Sequence, residues 1–344
     1  MTKFKTASDI HAGVVGYGAS FNMGKTHLAE MKKAGMTLVA VADPDAGRLA
    51  VAKADYPEIQ TFGSLGEMLR KTDVHVVAVI TPHDTHVKLA QEIIEAGRNV
   101  VSEKPLAITT AECDTMVAAA RKKGVVLSAY HNRHWDGSIM EVLRQVRAGA
   151  IGEVVRIEAH MGSYEQPRDW WRSCKSIAGS ILHDWGVHLL EYSLQIIQSD
   201  IQEVTGFAKR GVWAPKVNWK DDTIEDEGFA VVRFASGQWL TLMITSLDAN
   251  PKRGMLEITG TQGTYIMNYS DWETVVPKPD GRTVVTKGKN PPAEGWRFYQ
   301  NIVDHLVRGE KLVITPQWAR RPIHILDLAC RSAEKGASLK PKYK

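Results

Sequence analysis

Residues 13–43 read GVVGYGASFNMGKTHLAEMKKAGMTLVAVAD, and the order of residue types in that stretch decides the fold. Val14 and Val15 form a short apolar run that ends in Gly16, Tyr17 and Gly18, as a buried parallel strand does where it meets a tight turn. Lys25 to Lys33 favours helix, and Gly35 is placed to stop it. Thr37 to Ala42 is β-branched and apolar, a second buried strand with Asp43 at its carboxyl end. A dinucleotide needs this sequence of parts. Gly16 allows the sharp turn, Gly18 lets the backbone approach a pyrophosphate, and the helix start offers N–H groups to negative charge. A carboxylate about 20 residues past the last glycine accepts hydrogen bonds from ribose hydroxyls. The regular G-x-G-x-x-G spacing would put its third glycine at Phe21; here the third glycine is Gly24. The turn is therefore read as enlarged by three residues around Ala19 to Phe21, with Phe21, Asn22 and Met23 beside the adenosine or the pyrophosphate. A glycine-rich turn in some other α/β protein is the competing reading, and the strand, helix, strand and Asp43 around it argue against that. Asp43 also favours NAD over NADP, because a carboxylate repels a 2′-phosphate and no arginine immediately follows it.

At 344 residues the chain exceeds a typical single core, so two domains are expected. Its 43 basic and 39 acidic residues are spread along the chain, with no basic block interleaved with aromatics, so nucleic acid is not an expected partner. Cys113, Cys174 and Cys330 are few and widely spaced; they form no disulfide or metal framework and suit a reducing compartment. The opening MTKFKTASDI has no apolar core of a signal peptide, and no apolar run reaches membrane-spanning length. A cytoplasmic protein with no membrane association is the expectation.

Past Asp43, residues 45–55 read as helix, Tyr56 to Phe62 leads into a short element, and Leu65 to Arg70 is a brief helix. Val74 to Ile80 is a third buried strand. A helix from His86 to Ala96, capped by Asp84 or Thr85, stops at Gly97; Asn99 to Ser102 is a fourth strand. Thr110 to Lys123 is a helix halted at Gly124, and Val125 to Tyr130 a fifth strand. Alternating apolar strands and helices indicate a doubly wound parallel sheet, a Rossmann domain over residues 1–130. From residue 131 to 344 the texture changes to an α+β domain. Residues 138–148 and roughly 184–198 are helical, 161–180 are irregular and aromatic, and strands such as Phe229 to Phe234 and Trp239 to Thr245 flank a turn at Gly237. This pattern predicts a large open, mainly antiparallel sheet ending near Tyr269, followed by helices at 296–308 and 316–336.

In an open parallel sheet ligands bind at the carboxyl ends of strands. Three strand ends here are polar: Thr81-Pro82-His83, Glu103-Lys104-Pro105 and His131-Asn132-Arg133. Lys104, held by the proline after it, is placed to project an ammonium over a cofactor; a plain surface lysine is the alternative. In ILHDWGVHL, a helix beginning near Asp184 puts Asp184 and His188 four residues apart on one face. A carboxylate beside an imidazole fixes its tautomer and raises its basicity, as a general base for a hydroxyl proton requires. An N-cap aspartate with an ordinary histidine is the competing reading. Zinc held by His183, Asp184 and His188 is disfavoured by the five-residue spacing of the histidines and by the lack of a nearby cysteine, so no metal is expected. Tyr164 to Arg172 (YEQPRDWWR) resembles a sugar platform of rings beside charged groups, and equally a core or an oligomer contact.

These motifs together resemble the glucose–fructose oxidoreductase/inositol dehydrogenase/rhizopine catabolism family (Gfo/Idh/MocA) over nearly the whole chain. The resemblance lies in the G-x-G turn with Gly24-Lys25-Thr26-His27, in TPHDTHVKLAQEIIEAGRNVVSEKP, in NRHWDGSIMEVLRQVRAGAIGEV and in AGSILHDWGVHLLEY. The last looks like the family's Gly-Gly-Gly…Asp-x-Gly-x-His element, with Ala178-Gly179-Ser180 in place of the glycines. The resemblance implies a two-domain NAD(P)-dependent dehydrogenase acting on sugars or polyols. It implies Lys104 as the catalytic lysine and Asp184 and His188 as the acid/base pair. The expected cofactor contacts are Gly16, Gly18, Phe21, Asn22, Met23, Gly24, Asp43, Thr81, Pro82, His83, His86, Glu103, Lys104 and Asn132. Lys104, Arg133, Tyr164, Arg168, Trp171, Arg172, His183, Asp184 and His188 are the candidates for substrate. The broad sheet is expected to form a homodimer or homotetramer, and a last helix to pack back on the first domain. Two rival activities remain: glycoside cleavage through transient oxidation by a retained NAD, and a non-catalytic dinucleotide or sugar sensor.

Overall fold

The computed structural model describes residues 4–18 and 21–343. The chain divides into two compact units, Met1–Asn132 with Trp296–Arg320, and Arg133–Gly295 with Arg321–Lys344. Residues 296–320, read from the sequence as part of the second domain, thus belong to the first unit.

The first unit alternates strand and helix: β1 His11–Val15, α1 Met23–Lys33, β2 Thr37–Ala42, α2 Ala46–Asp55, β3 Gln60–Phe62, α3 Leu65–Lys71, β4 Val76–Val79, α4 His86–Glu95, β5 Asn99–Ser102, α5 Thr110–Lys123 and β6 Leu127–Ala129. The six strands are parallel in the order β3-β2-β1-β4-β5-β6. Every residue of β4, β5 and β6 is buried, which is why these strands read as unbroken apolar runs and not as alternating ones. The chain builds outward from β1 to β3, then returns to β1's other side with β4, so the order reverses between β1 and β4. The crevice at their carboxyl ends is the ligand-binding switch point of such sheets.

Local chemistry sets several helix ends. Asp45 caps α2 by accepting from the Gly47 and Arg48 amides, and Thr109 with Glu112 forms a capping box on α5, which Gly124 ends at φ +64°. The cap expected on α4 is not made. Residues 83–85 turn as a 3₁₀ helix, and the Thr85 hydroxyl donates to the Pro82 carbonyl at 2.6 Å instead. Helix α1 starts at Met23, two residues before the expected Lys25.

The second unit contains α6 Gly137–Arg147, β7 Val154–Gly162, α7 Lys175–Ala178, α8 Ile181–Ile196, β8 Ile201–Lys209, β9 Glu227–Phe234, β10 Trp239–Thr245, β11 Leu256–Gly260, β12 Thr264–Met267, β13 Asp271–Pro277 and β14 Thr283–Lys289. They form one sheet, β14-β13-β12-β11-β7-β10-β9-β8, antiparallel except for β7 beside β10. The inward residues Ala230, Val232, Phe234, Leu240, Leu242 and Ile244 are buried, and α8 packs across β7, β9 and β10. The sheet runs past the expected limit at Tyr269. β14 is exposed nearly throughout, so it has no buried face to impose the alternation by which a strand is recognised. Helices α9 Arg297–Arg308 and α10 Pro316–Lys335 follow. Helix α9 lies in the first unit; α10 has Pro316–Arg320 in the first and the remainder in the second.

Candidate active site

Each unit supplies its own set of functional groups. In the first, Gly16 adopts φ +93°, and a Cβ there would stand 2.0 Å from the Ile80 carbonyl oxygen, so β1 can turn against the end of β4 only with glycine. The displaced third glycine has a matching role. A Cβ on Gly24 would fall 2.7 Å from Tyr17 Cδ2 and 3.0 Å from the Gly16 oxygen, so Gly24 is what seats α1 on the turn. Gly18 differs: among the described residues a Cβ there would meet only Arg48 Nη1, at 3.7 Å. Its backbone is left open, as approach of a pyrophosphate requires. Asn22 precedes α1 in the left-handed region at φ 51°, Met23 begins the helix, and Phe21 is 51% exposed; Ala19 lies outside the described residues.

Asp43 is buried at the end of β2. Its Oδ2 accepts from the Tyr17 amide at 2.6 Å and its Oδ1 from the Asp45 amide at 2.9 Å, tying the second strand to the glycine turn. The sequence shows no arginine directly after Asp43, yet α2 brings Arg48 back to 4.0 Å from that carboxylate.

The strand ends after β4 and β5 are tied by His86, whose ring nitrogens lie 2.9 Å from the Thr81 carbonyl and 2.8 Å from the Pro105 carbonyl. Burial lowers the His86 pKa, outweighing those carbonyls and the nearby Glu103. His83 is buried beside it. Glu103 is the anchor of Lys104: its Oε2 accepts the Lys104 amide at 3.0 Å and its Oε1 faces His27 Nε2 at 3.0 Å. Burial pushes the Glu103 pKa up, but His27 and Lys104 outweigh it and hold the carboxyl below the ordinary value. His27 Nδ1 meets the Tyr299 hydroxyl of α9. Lys104 and Asn132 are half-buried.

In the second unit, Ser180 caps α8 by accepting from the Leu182 amide at 3.2 Å, so the helix begins at Ile181 and not near Asp184. Asp184 therefore lies in the first turn, where the helix dipole favours a carboxylate, and His188 follows one turn later on the same face. Arg172 donates to Asp184 Oδ2 at 3.1 Å while its guanidinium lies over Trp170 and Trp171, 5.2 and 5.1 Å from the ring centroids. Trp185 packs against His188 with centroids 5.5 Å apart, and the Arg133 guanidinium lies 5.0 Å from its ring. Arg133 also lies over Tyr269 and pairs with Asp136 at 2.9 Å.

A cavity of about 300 Å³, at the small end for ligand sites, is lined by Arg168, Trp170, Arg172, Asp184 and Trp185 together with serines and isoleucines. Arg168, Arg172 and Asp184 thus line one space. Tyr164 is 63% exposed and packs on Trp213, Trp171 holds Arg172, and His183 is buried with its Nδ1 2.7 Å from the Ser180 hydroxyl; none of the three is among the lining residues. Trp170, part of the aromatic stretch read as a sugar platform, lines the cavity, and so does Trp185, to which the sequence assigns no role. His27 was visible only as part of a motif, and its link to Tyr299 spans 272 positions.

Among the described residues one cluster, His11, Asp73 and His75, brings metal-ligand atoms together. His75 Nδ1 accepts the His11 amide at 3.0 Å, so a neutral His75 carries its proton on Nε2, facing Asp73 at 3.3 Å. That tautomer has no lone pair left for a metal.

Residues 10–131 match the family model described as "Oxidoreductase family, NAD-binding Rossmann fold", and residues 139–266 match the GFO/IDH/MocA C-terminal domain. The uncharacterized oxidoreductase YdgJ of Escherichia coli K12 is 30% identical over 55% of this chain and 54% of its own, so the chain spans about half the length of that relative. The scyllo-inositol 2-dehydrogenase (NADP(+)) IolW of Bacillus subtilis 168 is 28% identical over 95% of this chain and 94% of its own. A solved structure of levoglucosan dehydrogenase in complex with NADH and levoglucosan shares the fold at a TM-score of 0.82 and 20% identity, covering 97% of this chain and 99% of that one. The glycine turn, the alternating parallel sheet and the second, mostly antiparallel sheet are accounted for together: the chain belongs to the Gfo/Idh/MocA family of oxidoreductases.

Proposed function

We propose that this protein is an NAD-dependent dehydrogenase that oxidises a secondary hydroxyl of a sugar, polyol or sugar derivative to a ketone. The observation that carries the reading is Asp184 facing a small cavity walled by two indoles, on the helix that bears His188 one turn further on. Indole faces suit the apolar face of a sugar ring, and serines with charged groups suit its hydroxyls. The names of two relatives, a scyllo-inositol dehydrogenase and a levoglucosan dehydrogenase, point to the same class of substrate.

The first unit fits a dinucleotide: Gly18 leaves its backbone open, the α1 amino terminus faces the turn, and Asp43 retains lone pairs for ribose hydroxyls. When bound, the oxidised nicotinamide accepts the hydride from the carbinol carbon, so that alcohol and NAD⁺ become ketone, NADH and a proton. In this reading His188 takes the hydroxyl proton, and Asp184 orients the imidazole and stabilises its charged form. Lys104 polarises the substrate oxygen, with its backbone fixed by Glu103. Arg172 holds Asp184 in place. The open face of the second sheet carries Phe207 and Trp239, 57% and 37% exposed, which supports a homo-oligomer joined through that face. Three cysteines with no disulfide among them fit a cytoplasmic protein. No helix of the described residues is long and apolar enough to cross a membrane.

The test is to follow NADH formation with a panel of free sugars, polyols and sugar acids, and aglycone release from aryl glycosides in parallel. NADH accumulating with a free sugar or polyol supports the reading. Aglycone release without net NADH replaces it with transient redox catalysis, and silence in both channels favours a sensor. With the substrate found, Lys104→Ala should leave NAD affinity within about twofold while turnover falls by about 10²–10⁴; near-normal turnover would remove Lys104 from the mechanism.

A further inference from the structure

We propose that Arg133 is a positioning residue for His188, a clamp on one face of α8 that leaves the substrate to other groups. The inference rests on the reading of His188 as the base. Trp185, His188 and Tyr192 stand at i, i+3 and i+7 of α8, a spacing that puts the three on one face of the helix. The segment before α6 grips that face at both ends. At one end the Arg133 guanidinium lies 5.0 Å from the Trp185 ring, which packs on His188 with centroids 5.5 Å and planes 62° apart. At the other end the Tyr192 hydroxyl donates to Asp136 Oδ2 at 2.6 Å, and the same oxygen accepts from Arg133 Nη1 at 2.9 Å. His188 stands between the two grips.

The helix backbone needs no such help. A Cβ on Gly186 would come 3.2 Å from Leu242 Cδ2 and 3.5 Å from Leu326 Cδ2, so α8 is already seated on β10 and α10. Side-chain torsions are what remains to be set, and a placement error of about 1 Å costs a reacting group about 10² in rate. Arg133 is suited to holding and not to binding. Its charge is paired with Asp136, its plane is taken by Trp185 and by Tyr269 at 5.4 Å, and its side chain is 23% exposed. A planar guanidinium fits this task because it stacks on rings while it donates in its own plane. Tyr192 is fully buried and fixes Asp136 from below. Trp185 also lines the cavity that Asp184 faces, so one arm sets both the base and the wall against which a sugar ring would lie.

Selective labelling of the histidines gives a readout that needs no substrate. The His188 imidazole resonance is identified by its absence in His188→Asn, and the Trp185 ring current makes it sensitive to the packing of the two rings. Arg133→Ala should move that resonance. Tyr192→Phe, which keeps the ring and removes only the hydroxyl, should move it the same way by less. With the substrate found, Arg133→Ala should lower kcat roughly ten- to a hundredfold and Tyr192→Phe about three- to tenfold. KM and NAD affinity should stay within about threefold of wild type. Arg133→Lys keeps the charge without the planar stack and should recover only part of the loss. The double variant should be no slower than Arg133→Ala alone, because both changes act through one arm. A His188 resonance unmoved by either variant overturns the proposal. So does a KM raised more than about tenfold at unchanged kcat, the mark of uniform substrate binding by Arg133. Near-normal turnover in His188→Asn strikes the reading of His188 as the base, an outcome distinct from a resonance that fails to move.

Discussion

Replacing His27 by phenylalanine is the perturbation that best separates the architecture of the first unit from a plain list of contacts. Phenylalanine keeps the ring volume against Tyr130, whose centroid lies 4.0 Å away, but removes both nitrogens. Glu103 then loses its partner at 3.0 Å while its side chain remains only 13% exposed. The contact is a hydrogen bond to a charged group, worth about 1.5–3 kcal/mol. Glu103 stays too buried for water to replace that partner fully, so the upper end applies, about 3 kcal/mol. At about 2–4 °C per kcal/mol for a unit of this size, melting should fall by about 6–12 °C. The sign of the pH dependence is specific. In the native protein the Glu103 pKa is lowered from 4.5, so its contribution is complete above that value and is lost as pH falls through the folded pKa. In the variant burial dominates, the folded pKa rises, and protonation relieves the cost. The gap between wild type and variant should therefore be widest at neutral pH, begin to shrink as pH falls through the variant's raised Glu103 pKa, and go on shrinking below 4.5. Thermal and urea unfolding of the apoprotein across that range would measure it. A loss under about 1 kcal/mol, or one that does not change with pH, refutes the reasoning.

Gly24→Ala offers a test by sign. Alanine is the better helix former by about 1 kcal/mol, so if packing on the turn were loose the variant would be more stable. The 2.7 and 3.0 Å approaches to Tyr17 and Gly16 predict the reverse, destabilisation by about 1–3 kcal/mol, with NAD binding weakened at least about tenfold in calorimetry. His75 provides a second pH test. Burial, the largest influence on it, lowers its pKa from 6.5 despite Asp73, so below 6.5 the unfolded chain takes up a proton that the folded one refuses. Stability should be full above 6.5 and decline as pH falls from there toward the folded pKa. His75→Gln should make that decline shallower in urea titrations, and an unchanged slope would exclude His75 as its source.

What the amino-acid order determines by itself is whatever depends on neighbours along the chain. The buried runs of β1, β2, β4 and β5, the glycine after α5, the i, i+4 relation of Asp184 and His188, and the residues of the Gly16 turn all follow from local periodicity and local turn chemistry. The same logic explains the misses at this level: β14 is exposed and lacks alternation, and Ser180 rather than Asp184 begins α8 because a hydroxyl there could cap it. Tertiary structure decided the remainder. Only packing shows that Gly24 does the work of the missing glycine, because the constraint is the distance to Tyr17 and not a spacing. Only the fold joins Tyr299 to His27 and Glu103, sets Arg172 on Asp184 beside two indoles, and returns Arg48 to Asp43. Hydrogen bonds and ion pairs act over a few ångströms of space, whatever the separation in sequence, so their partners become visible only when the chain has folded.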